Sequence, residues 1–341
     1  MVLLSATARP AFSEASDPCS PRAWVLHDGK PGMASQALGL AEATGFPFIE
    51  RPLAIRFPWS CLPPGLWLSP LASVKAVGAA LLPPWPDLVI GCGRNAAMPA
   101  LAIRRASGGS TLAVQIQDPG VGHREFDLFV VPEHDHLRGP QVIVTRGAVH
   151  RVTVDRLAAE ASRFPALTAL PRPILAVLIG GANKAYRFGL RQMAEIADTV
   201  AAVLHNQGGS ALVTPSRRTG AAGVAMVRES LRHVSAMVWD GCGENPYFAF
   251  LALADAFVVT ADSVSMISEA AATGKPVHVL ELDGGNAKFA RFHAAMRAAG
   301  ITRPFTGRIE SWSYPILDDT ARAGAAVRAL VLGRIEQRQP V

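Results

Sequence analysis

Short apolar runs alternate with helical patterns along almost the whole chain, and that alternation leaves few folds open. Strand-like runs joined by amphipathic helices form βαβ units, which close into parallel sheets with helices on both faces. In the first half the pattern predicts strands at 23–26, 48–51, 87–91, 112–115, 127–131 and 142–145. In the second half it predicts strands at 174–179, 210–214, 236–239, 256–259 and 277–280. The helix at 190–204 is the clearest, because Leu190, Met193, Ile196, Val200, Val203 and Leu204 recur at helical spacing. The alternation restarts after Pro165, Pro171 and Pro173, so a linker is expected across 164–173. The expected α/β architecture is two Rossmann-like domains, 23–165 and 174–315, whose parallel sheets face each other across a cleft. Residues 1–22 read as a disordered tail, and 319–336 as a last helix crossing back to the first domain.

A length of 341 residues suits two domains, and with half the residues hydrophobic each can hold a full core. The four cysteines, Cys19, Cys61, Cys92 and Cys242, form no C-x-x-C pair, so neither a zinc ribbon nor a disulfide scaffold is expected, and a reducing cytoplasm fits. A formal charge of +6 favours an anionic partner. Nucleic acid is not expected, since the arginines are scattered and no finger, RNP-like segment or basic run occurs. No window is long and apolar enough to suggest a spanning helix. From Phe57 to Pro86, however, the only charge is Lys75, and seven prolines break that stretch. Within it, Trp59, Leu62, Leu66, Trp67 and Leu68 suit either a buried loop or peripheral contact with a membrane through 57–71.

The chemistry-bearing residues fall directly after strands, where open α/β sheets bind ligands. After 256–259 come Thr260, Ala261, Asp262, Ser263 and Ser265, with Glu269 about two turns into a helix. The helix start favours an anion, and Glu269 can accept from a ribose diol; the alternative is Ser263 or Ser265 capping its own helix. After 174–179, Gly180 and Gly181 let a backbone approach a ligand closely, and Lys184 supplies a cation for a diphosphate. This is neither G-x-G-x-x-G nor a Walker A loop, so dinucleotide and ATP-hydrolysis readings weaken. After 210–214, Ser216, Arg217 and Arg218 suggest an anion clamp, and Asp240 follows the next strand. Four such loops should share one sheet edge.

In the first half, Asp28 follows a strand and is the candidate base, with Gly29, Lys30 and Gly32 beside it on the acceptor side. Asp118 competes for the same role, while a turn aspartate bonding its own backbone is the plainer reading of either. Glu133, His134, Asp135 and His136 suggest a metal cluster less well than a polar loop, so no metal and no cofactor are expected.

These residues resemble a known family. Trp24 to Gly32, Gln115 to Pro119, Val131 to Asp135, Thr214 to Thr219, Asn245 to Phe248 and Thr260 to Met266 look like the family named for the plant elongated-mitochondria fission protein. Its bacterial members are regarded as glycosyltransferases, and the match spans about Trp24 to Pro315. This chain carries Met33 where many relatives have histidine. The second half is also similar, more distantly, to the lipid-II-forming N-acetylglucosaminyltransferase of GT-B fold. The resemblance implies a GT-B fold and a nucleotide-sugar donor meeting Gly180, Gly181 and Ser263 to Glu269. It implies a metal-independent glycosyltransferase acting on an acceptor hydroxyl, lipid-linked or part of an envelope glycan, at the inner face of a membrane. Two rivals stand beside it: a non-catalytic GT-B-like membrane scaffold, and a nucleotide-sugar epimerase, which needs no separate acceptor.

Overall fold

The computed structural model describes residues 21–78 and 80–338, so the tail expected at 1–22 lies almost wholly outside the described residues. The described residues form two compact units, one of 21–78, 80–131, 137–144 and 320–338, the other of 132–136 and 145–319.

The first unit is built on a seven-stranded sheet. Its strands are β1 (Ala23–His27), β2 (Phe48–Ile55), β3 (Val74–Ala76), β4 (Leu88–Cys92), β5 (Leu112–Ile116), β6 (Leu128–Pro132) and β7 (Val142–Thr145), in the order β3-β2-β1-β4-β5-β6-β7. The pairs β1–β2, β1–β4, β4–β5 and β5–β6 are parallel, and β3 is an antiparallel edge strand. The chain leaves the centre in one direction for β2 and in the other from β4 onward. This reversal places the loops after β1 and β4 side by side. Helices α1 (Pro31–Thr44) and α2 (Arg94–Ala106) follow those loops, with Ala37, Leu40, Ala41, Ala97, Ala100 and Leu101 wholly buried.

In the second unit come α3 (Val154–Arg163), α4 (Pro165–Thr168), β8 (Ile174–Ile179), α5 (Leu190–Gln207), β9 (Ser210–Pro215), α6 (Gly220–Ser230) and β10 (Ala236–Val238). They are followed by α7 (Tyr247–Leu253), β11 (Ala256–Thr260), α8 (Val264–Ala271), β12 (Val277–Leu280), α9 (Ala287–Ala298) and β13 (Thr302–Pro304). Six strands in the order β10-β9-β8-β11-β12-β13 form a wholly parallel sheet. Every side chain of β8, β9 and β11 is buried, as befits strands covered on both faces. On α5, Met193, Ile196, Val200, Val203 and Leu204 are buried, while Leu190 at the first turn is 44% exposed. Helix α10 (Asp319–Glu336) lies in the first unit from Thr320 onward, where Gly324 abuts Ala43 and Arg328 donates to the Thr44 carbonyl.

Two expectations need correction. The boundary falls near residue 145, not at 164–173. Helix α3 belongs to the second unit because Leu157 joins that unit's core and Arg156 stacks over Phe248 at 5.3 Å. The proline-rich stretch is instead a packed connection, with Leu167 buried against Phe250 and Leu212. The edge strands β3 and β13 were not expected. Each has three residues, too few for an alternating pattern to declare itself.

Candidate functional site

Because the second sheet is parallel throughout, the loops after β8, β9, β10 and β11 emerge at one edge, and three of them are tied into a knot. The Gly180 N–H donates to Thr260 Oγ1 at 2.8 Å, and the Gly181 N–H to Asp262 Oδ2 at 3.0 Å. The Gly180 carbonyl accepts from Ser216 Oγ at 2.8 Å and from Thr219 Oγ1 at 2.7 Å. Arg218 turns inward, pairing with Asp262 Oδ2 at 2.7 Å and donating to the Gly181 carbonyl. Asp262 is fully buried and its Oδ1 has no hydrogen-bond partner among the described residues.

The two glycines serve this knot. A Cβ on Gly180 would stand 2.2 Å from both Asp262 carboxylate oxygens, and one on Gly181 would stand 2.6 Å from the Arg218 carbonyl carbon. The close approach that the glycines permit is therefore already filled by protein, by one carboxylate and one arginine. Arg218 was expected in a free clamp; here its guanidinium is committed to Asp262. The neighbouring Arg217 and Lys184 are exposed, and neither side chain has a hydrogen-bond or ion-pair partner among the described residues.

Beside the knot lies a cavity of about 740 Å³, lined by Ser216 and Arg217, by Val224 and Arg228 of α6, and by Trp239 and Asp240 after β10. Asp240 accepts from the Cys242 N–H at 2.9 Å and from Arg228 at 3.1 Å, and those two bonds hold its carboxyl below the usual range. Trp239 Nε1 donates to the Cys242 carbonyl, which fixes the turn. On α8, Ser263 takes the capping role, accepting from the Met266 N–H at 3.4 Å, and Ser265 is half-buried in the first turn. Glu269 is buried and accepts from the Tyr247 hydroxyl at 2.6 Å. Burial and the facing Glu269 charge push the Tyr247 phenol well above its ordinary pKa, so it remains a donor. Tyr247 was missed as a site residue, although it sits within the Asn245–Phe248 motif and its N–H is fixed by Asn245 Oδ1 at 3.0 Å.

In the first unit the loops after β1, β4 and β5 are stitched in a similar way. Asp28 Oδ2 accepts from Asn95 Nδ2 at 3.2 Å and pairs with Lys30, while Oδ1 accepts from the Lys30 N–H at 3.4 Å. Asp28 is thus a turn aspartate held at the switch point, its side chain 11% exposed. Gly29 has φ +73° and donates to His27 Nδ1, which leaves Nε2 as the donor to Glu50 at 2.8 Å. The Gly32 carbonyl accepts from Gln36, whose Oε1 in turn accepts from Gln117 at 3.1 Å. Gln117 has φ +66°, a costly conformation outside glycine that this bond helps to hold. Asp118 Oδ1 accepts from the Gly120 N–H at 2.8 Å and faces His123 Nε2 at 2.7 Å. Asp28 and Asp118 therefore have separate partners, and Asn95, Gln117 and His123 join the strand-end residues that sequence reasoning did not single out. Met33 contacts the buried Cys92 thiol, Sγ to Sδ 3.6 Å.

The Glu133–His136 segment forms a 3₁₀ turn against α9. Asp135 pairs with Lys288, the His134 carbonyl accepts from Arg291 at 3.2 Å, and the His134 ring meets Phe292 edge-on. Burial lowers the His134 pKa to about 4, which keeps the ring neutral. No group of three His, Cys, Asp or Glu among the described residues is placed to hold a metal ion. No helix among them is long and apolar enough to cross a membrane.

Comparison with known proteins gives this arrangement its context. Mitochondrial fission protein ELM1 of Arabidopsis thaliana is 36% identical over 277 residues, covering 73% of this chain. The chain spans 65% of that relative's length. An uncharacterized protein of Rickettsia prowazekii (strain Madrid E) is 25% identical over 352 residues, covering 89% of this chain and 97% of its own. Among solved structures, UDP-N-acetylglucosamine 2-epimerase from Rickettsia bellii aligns over 94% of this chain and 97% of its own, with 11% identity and a TM-score of 0.51. That likeness shows the fold alone: α/β, GT-B-like, with two Rossmann-like domains. The family model for mitochondrial fission ELM1 matches residues 31–331, and the chain belongs to that family.

Proposed function

We propose that the protein transfers a sugar from a nucleotide-sugar donor to an acceptor hydroxyl, with the donor held at the edge of the six-stranded sheet. The observation that carries this reading is a cavity large enough for a nucleotide beside the Gly180 loop, lined by Ser216 of that loop's knot and by the exposed Arg217, whose side chain has no partner among the described residues. Arg217 and Lys184 are suited to a leaving diphosphate, whose developing charge preorganised cations stabilise by several kcal/mol, order of magnitude. Glu269, held by Tyr247, is suited to the ribose, and Asp28 to the acceptor proton. The acceptor is lipid-linked or part of an envelope glycan. The protein works in the cytoplasm at the inner face of a membrane, which it meets through 57–71.

The test is a thermal-shift titration with UDP, GDP, CMP and dTDP sugars, using Glu269→Gln as the control that keeps side-chain volume. A donor that stabilises the wild type but not this variant supports the reading and names the nucleotide. Asp28→Asn is then expected to lower kcat with little change in donor affinity. Incubation with donor alone separates transfer from epimerisation, since an epimer appears without acceptor only in the second case.

A scaffold without catalysis is the second reading, and one observation favours it. Asp262 occupies the Gly181 N–H and Arg218 donors that a diphosphate would otherwise use. Silence across the sugar panel, with the knot intact, selects this reading.

A further inference from the structure

The connection between β2 and β3 is the least conventional part of the first unit. It leaves β2 at the sheet edge that carries the β1 and β4 loops, and returns when the Arg56 N–H meets the Ser73 carbonyl at 2.9 Å. Two 3₁₀ turns, Trp59–Cys61 and Pro64–Leu66, give it shape. Pro64 and Trp67 are buried and anchor it, Trp67 Nε1 donating to the Leu62 carbonyl, while Gly65 lies against Val121.

What this connection presents outward is apolar. Leu66 is 60% exposed, Leu68 is 92% exposed and Phe57 is 82% exposed, with Leu62 on the same excursion. A loop that buries one tryptophan and turns the two leucines flanking it to solvent gains nothing from doing so in water, since burial of each is worth about 1.5–3 kcal/mol. Charge narrows the choice of partner. From residue 51 to 86 there is no Asp or Glu, and the exposed cations Arg56 and Lys75 have no ion-pair partner among the described residues. Exposed leucine and phenylalanine flanked by basic residues without a carboxylate match the interfacial region of a bilayer bearing anionic lipid.

We propose that the excursion at 56–73 is a membrane-docking surface, which inserts Phe57, Leu66 and Leu68 among the headgroups while Arg56 and Lys75 select anionic lipid. The proposal rests on the membrane part of the reading above and not on the nucleotide part.

Vesicle flotation of the full chain tests it, with phosphatidylcholine alone and with phosphatidylcholine mixed with phosphatidylglycerol. The wild type is expected to float with the mixed vesicles and to lose that binding in high salt. Leu66→Ser with Leu68→Ser should weaken partitioning at least about tenfold, because both leucines then lose apolar burial in the interface. Arg56→Glu with Lys75→Glu should remove the preference for anionic lipid, about fivefold or more for each cation. All four positions are exposed, so an unchanged thermal transition is expected and separates docking from misfolding. Trp67→Ser is unsuitable, because it removes the anchor. Absence of flotation with either lipid overturns the proposal, and so does a leucine variant that floats like the wild type. Self-association abolished by the leucine substitutions, without flotation, would assign the surface to a second copy of the chain instead. A silent nucleotide panel has no bearing on this result, and failed flotation leaves the nucleotide titration standing.

Discussion

Replacing Gly180 with alanine tests the knot at its tightest point. The new Cβ would lie 2.2 Å from both Asp262 oxygens and 2.5 Å from the carboxyl carbon. Relieving that overlap requires the carboxylate to retreat by about 1 Å, since C···O contacts settle near 3.4 Å or beyond. Retreat loosens its bonds to the Gly181 N–H and to Arg218. Overpacking costs about 1–3 kcal/mol, and a charge-assisted bond about 1.5–3 kcal/mol, with the Arg218 share discounted because that side chain is 39% exposed. The expected total for Gly180→Ala is about 4 kcal/mol. Asp262→Ser alone should cost about 2–3 kcal/mol, because it strips the carboxylate from Gly181 and Arg218. In that background the clash is gone and the alanine should be tolerated, so the double variant is less destabilised than the sum by about 3 kcal/mol. Scanning calorimetry of the second unit's transition reads this, at about 2–4 °C per kcal/mol. Gly181→Ala is the internal control: its Cβ meets the Arg218 backbone, so Asp262→Ser should not rescue it. Additive effects for Gly180→Ala and Asp262→Ser, within about 0.5 kcal/mol, would refute the claim that this carboxylate is what Gly180 accommodates.

Tyr247→Phe removes a hydroxyl donor from a buried carboxylate, so it should destabilise the second unit by about 1.5–3 kcal/mol and weaken whatever ligand Glu269 contacts; unchanged melting and binding would detach Glu269 from Tyr247. His150 is buried, its Nδ1 accepts from the Val152 N–H, and burial lowers its pKa from 6.5 to about 4. The folded state therefore holds it neutral, so this stability is fully present above pH 6.5 and is lost as pH falls toward 4, by about 3 kcal/mol in all; His150→Gln should flatten that part of an acid-denaturation curve, and an unchanged slope would reject the assignment. Asn95→Ala takes a donor from Asp28 Oδ2, and should move kcat more than donor affinity if Asp28 acts at the acceptor; a loss confined to donor affinity would contradict that role.

The strands that carry the site could be read because each is a continuous apolar run followed at once by small or charged residues. Gly180, Ser216 and Asp240 follow three such runs, and the parallel sheet does bring their loops to one edge. What the pattern could not show was direction. Nothing in Arg217-Arg218 says which arginine turns inward; that choice is made by Asp262, which is 44 residues further along and meets Arg218 only in the fold. The same limit applies to Tyr247, which acts through Glu269 on another helix, and to Gln117, whose φ of +66° leaves no trace in residue type. Around 57–71 the composition fitted both a buried loop and a surface. The structure divides the segment, with Trp67 and Pro64 inward and Leu66 and Leu68 outward.

Under the proposed transfer reaction, charge around the sheet edge decides where the donor would make its contacts. Asp262 neutralises Arg218, and Asp240 neutralises Arg228, so neither arginine offers its full charge to a ligand. Arg217 and Lys184 remain, with Arg187 further along the loop after β8, and a nucleoside diphosphate carries negative charge at neutral pH for them to meet. Two exposed cations at contact distance each contribute about 1 kcal/mol in water and more near a protein surface, where the effective dielectric is lower. Arg217→Ala with Lys184→Ala should therefore weaken donor binding at least about tenfold and reduce its dependence on salt, with no effect on melting, since both side chains lack partners to lose. Titration calorimetry across ionic strength checks both outcomes. Binding that survives this double variant would mean that the diphosphate either takes Arg187, the other exposed cation on the loop after β8 whose side chain has no partner among the described residues, or displaces Asp262 and takes Arg218, and Arg187→Ala separates the two. Vesicle flotation should not change in the same variant, as the proposed membrane surface is built from the other unit; a shared loss would show that the two sites are coupled.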